Sequence, residues 1–274
     1  LDVHPGGMYI DGTIGEGGHA SAILQASMPN GRLLGIDLDA QALVAARSRL
    51  AGWAGSFMLE NTNYDQMEKV VTAHGFEHPD GILLDLGISS FQLEGPGRGF
   101  SFQRDEPLDM RYNTDSGFTA GHIVNFYDPV ELSSLLFRNG EEPKARTIAK
   151  TIAQQRPILT TGHLAKLVMK AVGGHRGKTH PATRTFQALR IAVNRELENV
   201  EAGLHQAMKL LRPGGRLAVI SYQSLEDRIV KHTLARESRG CICPPRTPQC
   251  ICGHVATMRL VTKHSVISSK EEVA

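Results

Sequence analysis

Met8-Tyr9-Ile10-Asp11-Gly12-Thr13-Ile14-Gly15-Glu16-Gly17-Gly18-His19 is the stretch whose reading decides the fold. A short apolar run ends on an acid, a glycine-rich turn follows, and residues 19–26 then read as a helix. Strand, glycine turn and helix in that order let a backbone come close to a ligand at the strand's carboxyl end. Working outward, Leu33-Leu34-Gly35-Ile36-Asp37 supplies a second apolar strand, and Asp39 caps an alanine-rich helix over 40–50. Residues 57–59 make a weak third strand, 64–74 a third helix, and 81–86 an uninterrupted apolar fourth strand suited to burial on both faces. This alternation predicts an α/β fold with a doubly wound, mostly parallel sheet.

The pattern then changes. Residues 94–99 form a glycine-bearing loop, followed by helical patterns over 128–139, 143–155 and 162–172 without strands, and by a flexible basic stretch over 173–178. We read this as an inserted all-helical lobe over 97–183, with 1–96 and 184–274 forming one sheet domain around it. In the second part, Phe186, Leu189, Val193, Leu197, Val200, Leu204, Met208 and Leu211 recur at steps of three and four, which predicts one long helix ended by Pro213-Gly214-Gly215. A fifth strand over 216–222, a helix over 225–236 and a final strand over 256–262 complete the expectation.

With 274 residues, 41% hydrophobic and 21% charged, the chain can bury a full core. No stretch approaches the roughly 18 apolar residues of a membrane span, and residues 1–7 lack the pattern of a signal peptide. We therefore expect a soluble, cytoplasmic protein with no membrane partner. The net charge of +2 is unevenly spread: residues 96–190 hold 14 Lys+Arg against 8 Asp+Glu, and the remainder 16 against 20. A basic middle in an otherwise acidic chain is the footprint of a nucleic-acid-facing element, or simply of a solvated charged surface.

Asp37 lies 20 residues after Gly17, at the end of the second strand, where a carboxylate can accept from ribose hydroxyls. Asp11 stands directly before the glycines, which suits the cationic amino-acid end of S-adenosylmethionine better than an anionic pyrophosphate. Asp85 closes the fourth strand at the same edge, and Leu211-Arg212-Pro213-Gly214-Gly215-Arg216-Leu217 joins helix to strand as is common among Rossmann-like methyltransferases. A nicotinamide-dependent dehydrogenase would share the sheet and Asp37, and a non-catalytic small-subunit assembly factor would share the basic lobe; both stand here as alternatives.

Beyond these features the chain resembles the RsmH (formerly MraW) family of 16S ribosomal RNA cytosine-N4 methyltransferases. The resemblance rests on Tyr9-Ile10-Asp11-Gly12-Thr13 with Gly15 and Gly17-Gly18-His19, and on Asp80-Gly81-Ile82-Leu83-Leu84-Asp85-Leu86-Gly87-Ile88-Ser89-Ser90 with Gln92-Leu93. It continues through Arg98-Gly99-Phe100-Ser101-Phe102, Pro107-Leu108-Asp109-Met110-Arg111, His180-Pro181-Ala182-Thr183-Arg184-Thr185-Phe186-Gln187-Ala188 and Ser224-Leu225-Glu226-Asp227-Arg228-Ile229-Val230-Lys231. It implies a class I methyltransferase that methylates a cytidine N4 near the decoding centre of the small ribosomal subunit, with 16S RNA as partner. It places S-adenosylmethionine on Gly17, Gly18, His19, Asp37, Tyr64, Asp85 and Gln92, beside Asp11 and Gly15 from the residues themselves. Asp85, Ser89 and Ser90 sit where amino-methyltransferases carry the group that aligns and deprotonates the amine. Where the family has a histidine before Ser-Leu-Glu-Asp-Arg, Gln223 stands here. Oligomeric state stays open, a homodimer included.

The four cysteines form two C-x-C pairs, Cys241 with Cys243 and Cys250 with Cys252, six residues apart. They could wrap one tetrahedral zinc, although the spacing is not that of a common finger; free or mutually oxidised thiols are the other reading.

Overall fold

A computed structural model describes residues 1–89, 93, 95, 97–114, 117–174, 179–262 and 264–267. Five parallel strands, β1 (Met8–Asp11), β2 (Arg32–Asp37), β3 (Phe57–Asn61), β4 (Gly81–Asp85) and β5 (Arg216–Ile220), form one sheet in the order β3-β2-β1-β4-β5. The order reverses between β1 and β4, so the crevice of a doubly wound sheet opens at the carboxyl ends of these two neighbours. The expected fold class is what the chain adopts.

Helices cover both faces. On one, α1 (Gly18–Ala26) and α2 (Ala40–Arg49) bury Ile23, Leu24, Leu43 and Ala46 against Tyr9 and Leu33. On the other, α3 (Met67–His74) packs Met67, Val70 and Val71 against Ile10, Ile36 and Leu84. Gly17 precedes α1 at φ 82°, a left-handed conformation that glycine adopts without a Cβ clash. Asp39 caps α2 by accepting from Gln41 N at 3.0 Å, as expected.

Between β4 and the return to the sheet, α4 (Ala120–Phe126), α5 (Pro129–Gly140), α6 (Ala145–Gln154) and α7 (Thr161–Val172) build a core of their own around Leu132, Leu136, Ile148, Ile152, Leu164 and Val168. Their caps follow local chemistry: Asp128 accepts from Val130 N with Pro129 at the first helical position, and Thr160 accepts from His163 N. The helix α4, with Thr119 as its cap, had no counterpart in the sequence reading.

The long helix expected after residue 183 is two helices, α8 (Thr183–Asn194) and α9 (Glu196–Leu210), broken at Arg195, whose φ is 53°. The break redirects one amphipathic pattern into two cores. Phe186, Ala188 and Leu189 enter the helical core, whereas Val200, Leu204 and Ala207 enter the sheet core beside Val230 of α10 (Ser224–Glu237). The strand expected over 256–262 does not form. Instead Thr257 N and Met258 N both donate to Glu237 O, at 2.9 and 3.1 Å, so this segment is tied to the end of α10 rather than to the sheet. Among the described residues no helix is long and apolar enough to cross a membrane.

Candidate active site at the carboxyl edge of the sheet

Three strands deliver a carboxylate each to one edge: β1 ends on Asp11, β2 on Asp37 and β4 on Asp85. The glycine turn is sewn across all three. Gly12 N donates to Leu83 O at 2.9 Å, Ile14 N to Ile36 O at 3.0 Å, and Thr13 Oγ1 accepts from Asp85 N at 2.7 Å. Gly12 is required by packing, because a Cβ there would lie 2.6 Å from Leu84 Cδ2. Gly15, at φ 52°, turns its amide onto Asp37 Oδ2 at 2.8 Å, while Asp39 N donates to Oδ1 at 2.8 Å. The Leu38 amide also bonds this carboxyl, so Asp37 is held in place at the edge of the cleft.

The electrostatics of this edge are strained towards neutrality or towards a cation. Asp11 is 1% exposed. Burial pushes its carboxyl up to about 7, against the Thr13 amide bond at 3.2 Å and the field of His19. Burial likewise raises Asp37, in spite of the amides of Asp39 and Gly15. His19 Nε2 lies 3.4 Å from Asp85 Oδ2, a contact that raises the imidazole pKa against its partial burial. Among the described residues, Asp11 Oδ2 and Asp85 Oδ1 are buried without a hydrogen-bond partner. Two buried carboxylate oxygens left open at one edge fit a group bearing positive charge.

The glycine turn, Asp37 and Asp85 line one side of a cleft of about 1120 Å³, whose opposite side comes from residues 100–104 and Tyr112 and from α8 to α10. Gly15, Gly18, His19, Asp37, Tyr64, Asp85 and Ser89 line it. Asp11 lies directly beneath the turn. Gly17 faces the other way, its missing Cβ pointing 3.5 Å from Ala46 Cα, so it acts through backbone conformation. Tyr64 starts the turn before α3, and its ring occupies the space that a Cβ on Gly203 would fill. Ser90 and Gln92 lie outside the described residues.

The far side holds residues to which the sequence reading gave no role in the site. Glu196, buried at the start of α9, accepts from Arg190 at 2.8 and 3.0 Å and from Tyr112 Oη at 3.1 Å. Burial pushes the neighbouring Glu226 up to about 7. Gln187 Nε2 donates to Gln223 Oε1 at 2.6 Å, which places Gln223 in an amide pair. Tyr222, 75% exposed, holds its ring 3.6 Å from where a Cβ on Gly87 would be. Arg98 Nη1 binds Asp39 at 2.7 Å while Nη2 donates to the carbonyls of Arg111 and Tyr112, so the loop that leaves β4 is pinned to the start of α2. A signal for Arg190 and Glu196 did exist, as two charged residues inside an apolar helical pattern, but nothing in their spacing pairs them. The four cysteines and the exposed Lys144, Arg146 and Lys150 stand apart from this cleft.

A family model described as the MraW methylase family matches residues 1–274. The protein named ribosomal RNA small subunit methyltransferase H from Dehalococcoides mccartyi is 49% identical over 274 residues, covering 100% of this chain and 78% of that protein. A protein of the same name from Thermomicrobium roseum is 51% identical over 271 residues, covering 98% of this chain and 83% of its own length. One from Syntrophotalea carbinolica is 47% identical over 279 residues, covering 100% and 89%. Matched over its whole length and carrying the strand-end carboxylates on the expected sheet, the chain belongs to the MraW methylase family.

Proposed function

We propose that this chain transfers the methyl group of S-adenosylmethionine to the N4 amine of a cytidine in small-subunit (16S) ribosomal RNA, near the decoding centre and within a small-subunit particle. One observation carries it: of three strand-end carboxylates gathered at one sheet edge, Asp37 and Asp85 line a large cleft, Asp11 lies buried beneath the glycine turn, and Asp11 and Asp85 each keep a buried oxygen without a hydrogen-bond partner. The relatives' shared name supports the RNA. The same carboxylates disfavour the dehydrogenase alternative, since a pyrophosphate would meet Asp11 and Asp85 in a buried setting.

Asp37 would accept from the ribose hydroxyls, with the Gly15 and Gly18 backbone alongside and Gly17 setting the turn. Tyr64 would flank the base of the cofactor, Gln92 is a cofactor residue by the family resemblance alone, and Asp11, His19 and Asp85 would face the cofactor's charged end. S-adenosylmethionine supplies an electrophilic sulfonium methyl when bound. The chain supplies the rest. A cytosine amine is a weak nucleophile because its lone pair is delocalised, so alignment carries most of the rate and an acceptor must take the proton that the amine sheds. Asp85 would serve as the acceptor: Oδ2 faces His19, the Tyr222 hydroxyl hydrogen-bonds the carboxyl group, and Oδ1 is buried without a partner. The Leu86 and Gly87 carbonyls and the Ser89 and Ser90 hydroxyls would hold the amine in line. Tyr222 offers an exposed ring beside this loop on which an unstacked base can rest.

The helical segment 97–183 is proposed as the RNA-gripping lobe, with 1–96 and 184–274 as the cofactor domain. A second cofactor, zinc on the four cysteines, is proposed as structural, because none of those residues lines the cleft. The test is transfer of labelled methyl to unmethylated small subunits, followed by nuclease digestion and mass spectrometry of the nucleosides. N4-methylated cytidine is expected. A label on a ring carbon, a ribose oxygen or protein refutes the reading, and RNA binding without transfer establishes the assembly-factor alternative.

A further inference from the structure

Beyond the end of α10 the chain brings four thiols to one point. The Sγ atoms of Cys241, Cys243, Cys250 and Cys252 all lie within 4.8 Å of one another, and all four cysteines are free. Cys250 to Cys252 is 3.6 Å, Cys241 to Cys252 is 3.8 Å and Cys243 to Cys250 is 4.0 Å. A disulfide would bring a pair to about 2.05 Å. Four sulfurs around one zinc at about 2.3 Å occupy the corners of a tetrahedron with edges of about 3.8 Å. Three of the six spacings lie within about 0.2 Å of that edge, and all six lie within 4.8 Å.

Nothing apolar holds this loop shut. Among residues 239–262 none is buried, and Ile251 is 84% exposed. The local chain is nevertheless ordered for the purpose. Thr247 N and Oγ1 both return to Pro244 O, at 3.2 and 2.7 Å, and Arg246 takes φ 72°, which reverses the chain so that the second C-x-C pair faces the first. Backbone amides then point at sulfur: Ile242 N at Cys252 at 3.4 Å, Cys243 N at Cys241 and Ile251 N at Cys243, each at 3.5 Å. Donors aimed at sulfur favour the thiolate that a metal requires.

We infer that these four cysteines form a closed tetrathiolate zinc site that stands in for a hydrophobic core in the segment after α10. Thiolates in a tetrahedron select zinc over harder cations, and four protein ligands leave no position for water or substrate, so the ion is structural. Its effect is to fix where the chain re-docks. Just past the site, His254 Nε2 meets Arg236 O at 3.1 Å, and Thr257 binds Glu237 through N at 2.9 Å and through Oγ1 at 3.0 Å. These contacts sit on the last turn of α10, whereas Glu226 on its first turn lines the cleft, at the other end of this 14-residue helix.

The whole chain, purified without chelator, should carry about one zinc by elemental analysis. The reduced, metal-free chain titrated with cobalt should show the intense visible bands of tetrahedral thiolate coordination, bleached by added zinc. The double variant Cys243→Ser/Cys250→Ser should lose both signals, while its calorimetric affinity for S-adenosylmethionine, which reports the distant cleft, stays as in the parent. Zinc at background level together with no cobalt bands overturns the proposal. So does a double variant that keeps its zinc, since the ion would then be held elsewhere.

Discussion

Asp11 carries a pH dependence that can be worked through. Its carboxyl is buried at the end of β1, and burial raises its pKa from 3.8 to about 7. Between those two values the native state binds more protons here than the unfolded state does. Stability is therefore undiminished below about pH 4, declines as pH rises, and shows its full deficit once the native group ionises above about pH 7. A shift of about three units at 1.36 kcal/mol each makes that deficit about 4 kcal/mol. Asp11→Asn keeps an oxygen for the Thr13 amide and cannot ionise, so it removes the decline while leaving the fold's contacts in place. Urea unfolding of the ligand-free chain should find the variant more stable by about 4 kcal/mol near pH 8 and by less than about 1 kcal/mol near pH 4. Titrating groups remote from Asp11 are common to both chains and cancel in the difference, whereas His19, Asp37 and Asp85, whose charges act on Asp11, cancel only in part. Binding should run the other way: a cation beside Asp11 favours the ionised form, so affinity for S-adenosylmethionine rises with pH through about 7 in the parent and is flatter in the variant. Equal stability differences at both pH values would refute the burial argument.

Asp37→Ala should weaken S-adenosylmethionine binding by about 2 kcal/mol through loss of a buried charged acceptor, and also loosen the Gly15 amide; calorimetry checks it. Reversing the charges of Lys144, Arg146 and Lys150, exposed on and beside α6, should weaken RNA binding and flatten its salt dependence, by a slope change of about 2 if all three meet phosphate, with cofactor affinity unchanged. Ser89→Ala assayed with cofactor saturating should lower kcat with little change in cofactor affinity, whereas Asp85→Asn should lower both, because it removes the charge that pairs with His19 and leaves one buried oxygen beside the cofactor end of the cleft.

The strand-end half of the site, proposed above to hold the cofactor, is legible in the sequence because its carboxylates and glycines mark where one element gives way to the next. Asp11, Asp37 and Asp85 follow apolar runs, and Gly15 and Gly17 hold left-handed conformations at the turn that begins α1. Local physics and function coincide there. The opposite side of the cleft is assembled by long-range contacts, which leave weaker marks. Tyr112 meets Glu196 across 84 residues and Arg98 meets Asp39 across 59, and neither pair has a spacing that a helix or strand period could reveal. The break at Arg195 was hidden for a related reason: it lacks glycine or proline, and the apolar period runs on through it. Its cause is tertiary. Asn194, the last residue of α8, accepts from Tyr112 N at 2.8 Å and donates to Met110 O at 2.8 Å, holding that helix end against the loop from β4. The chain therefore turns where the helical core needs α8 and the sheet core needs α9, and the same turn sets Arg190 and Glu196 side by side in the cleft wall. Period reports that a face is buried, but not which core buries it, so a site built at the junction of two cores is the part of this molecule that sequence pattern alone leaves unread.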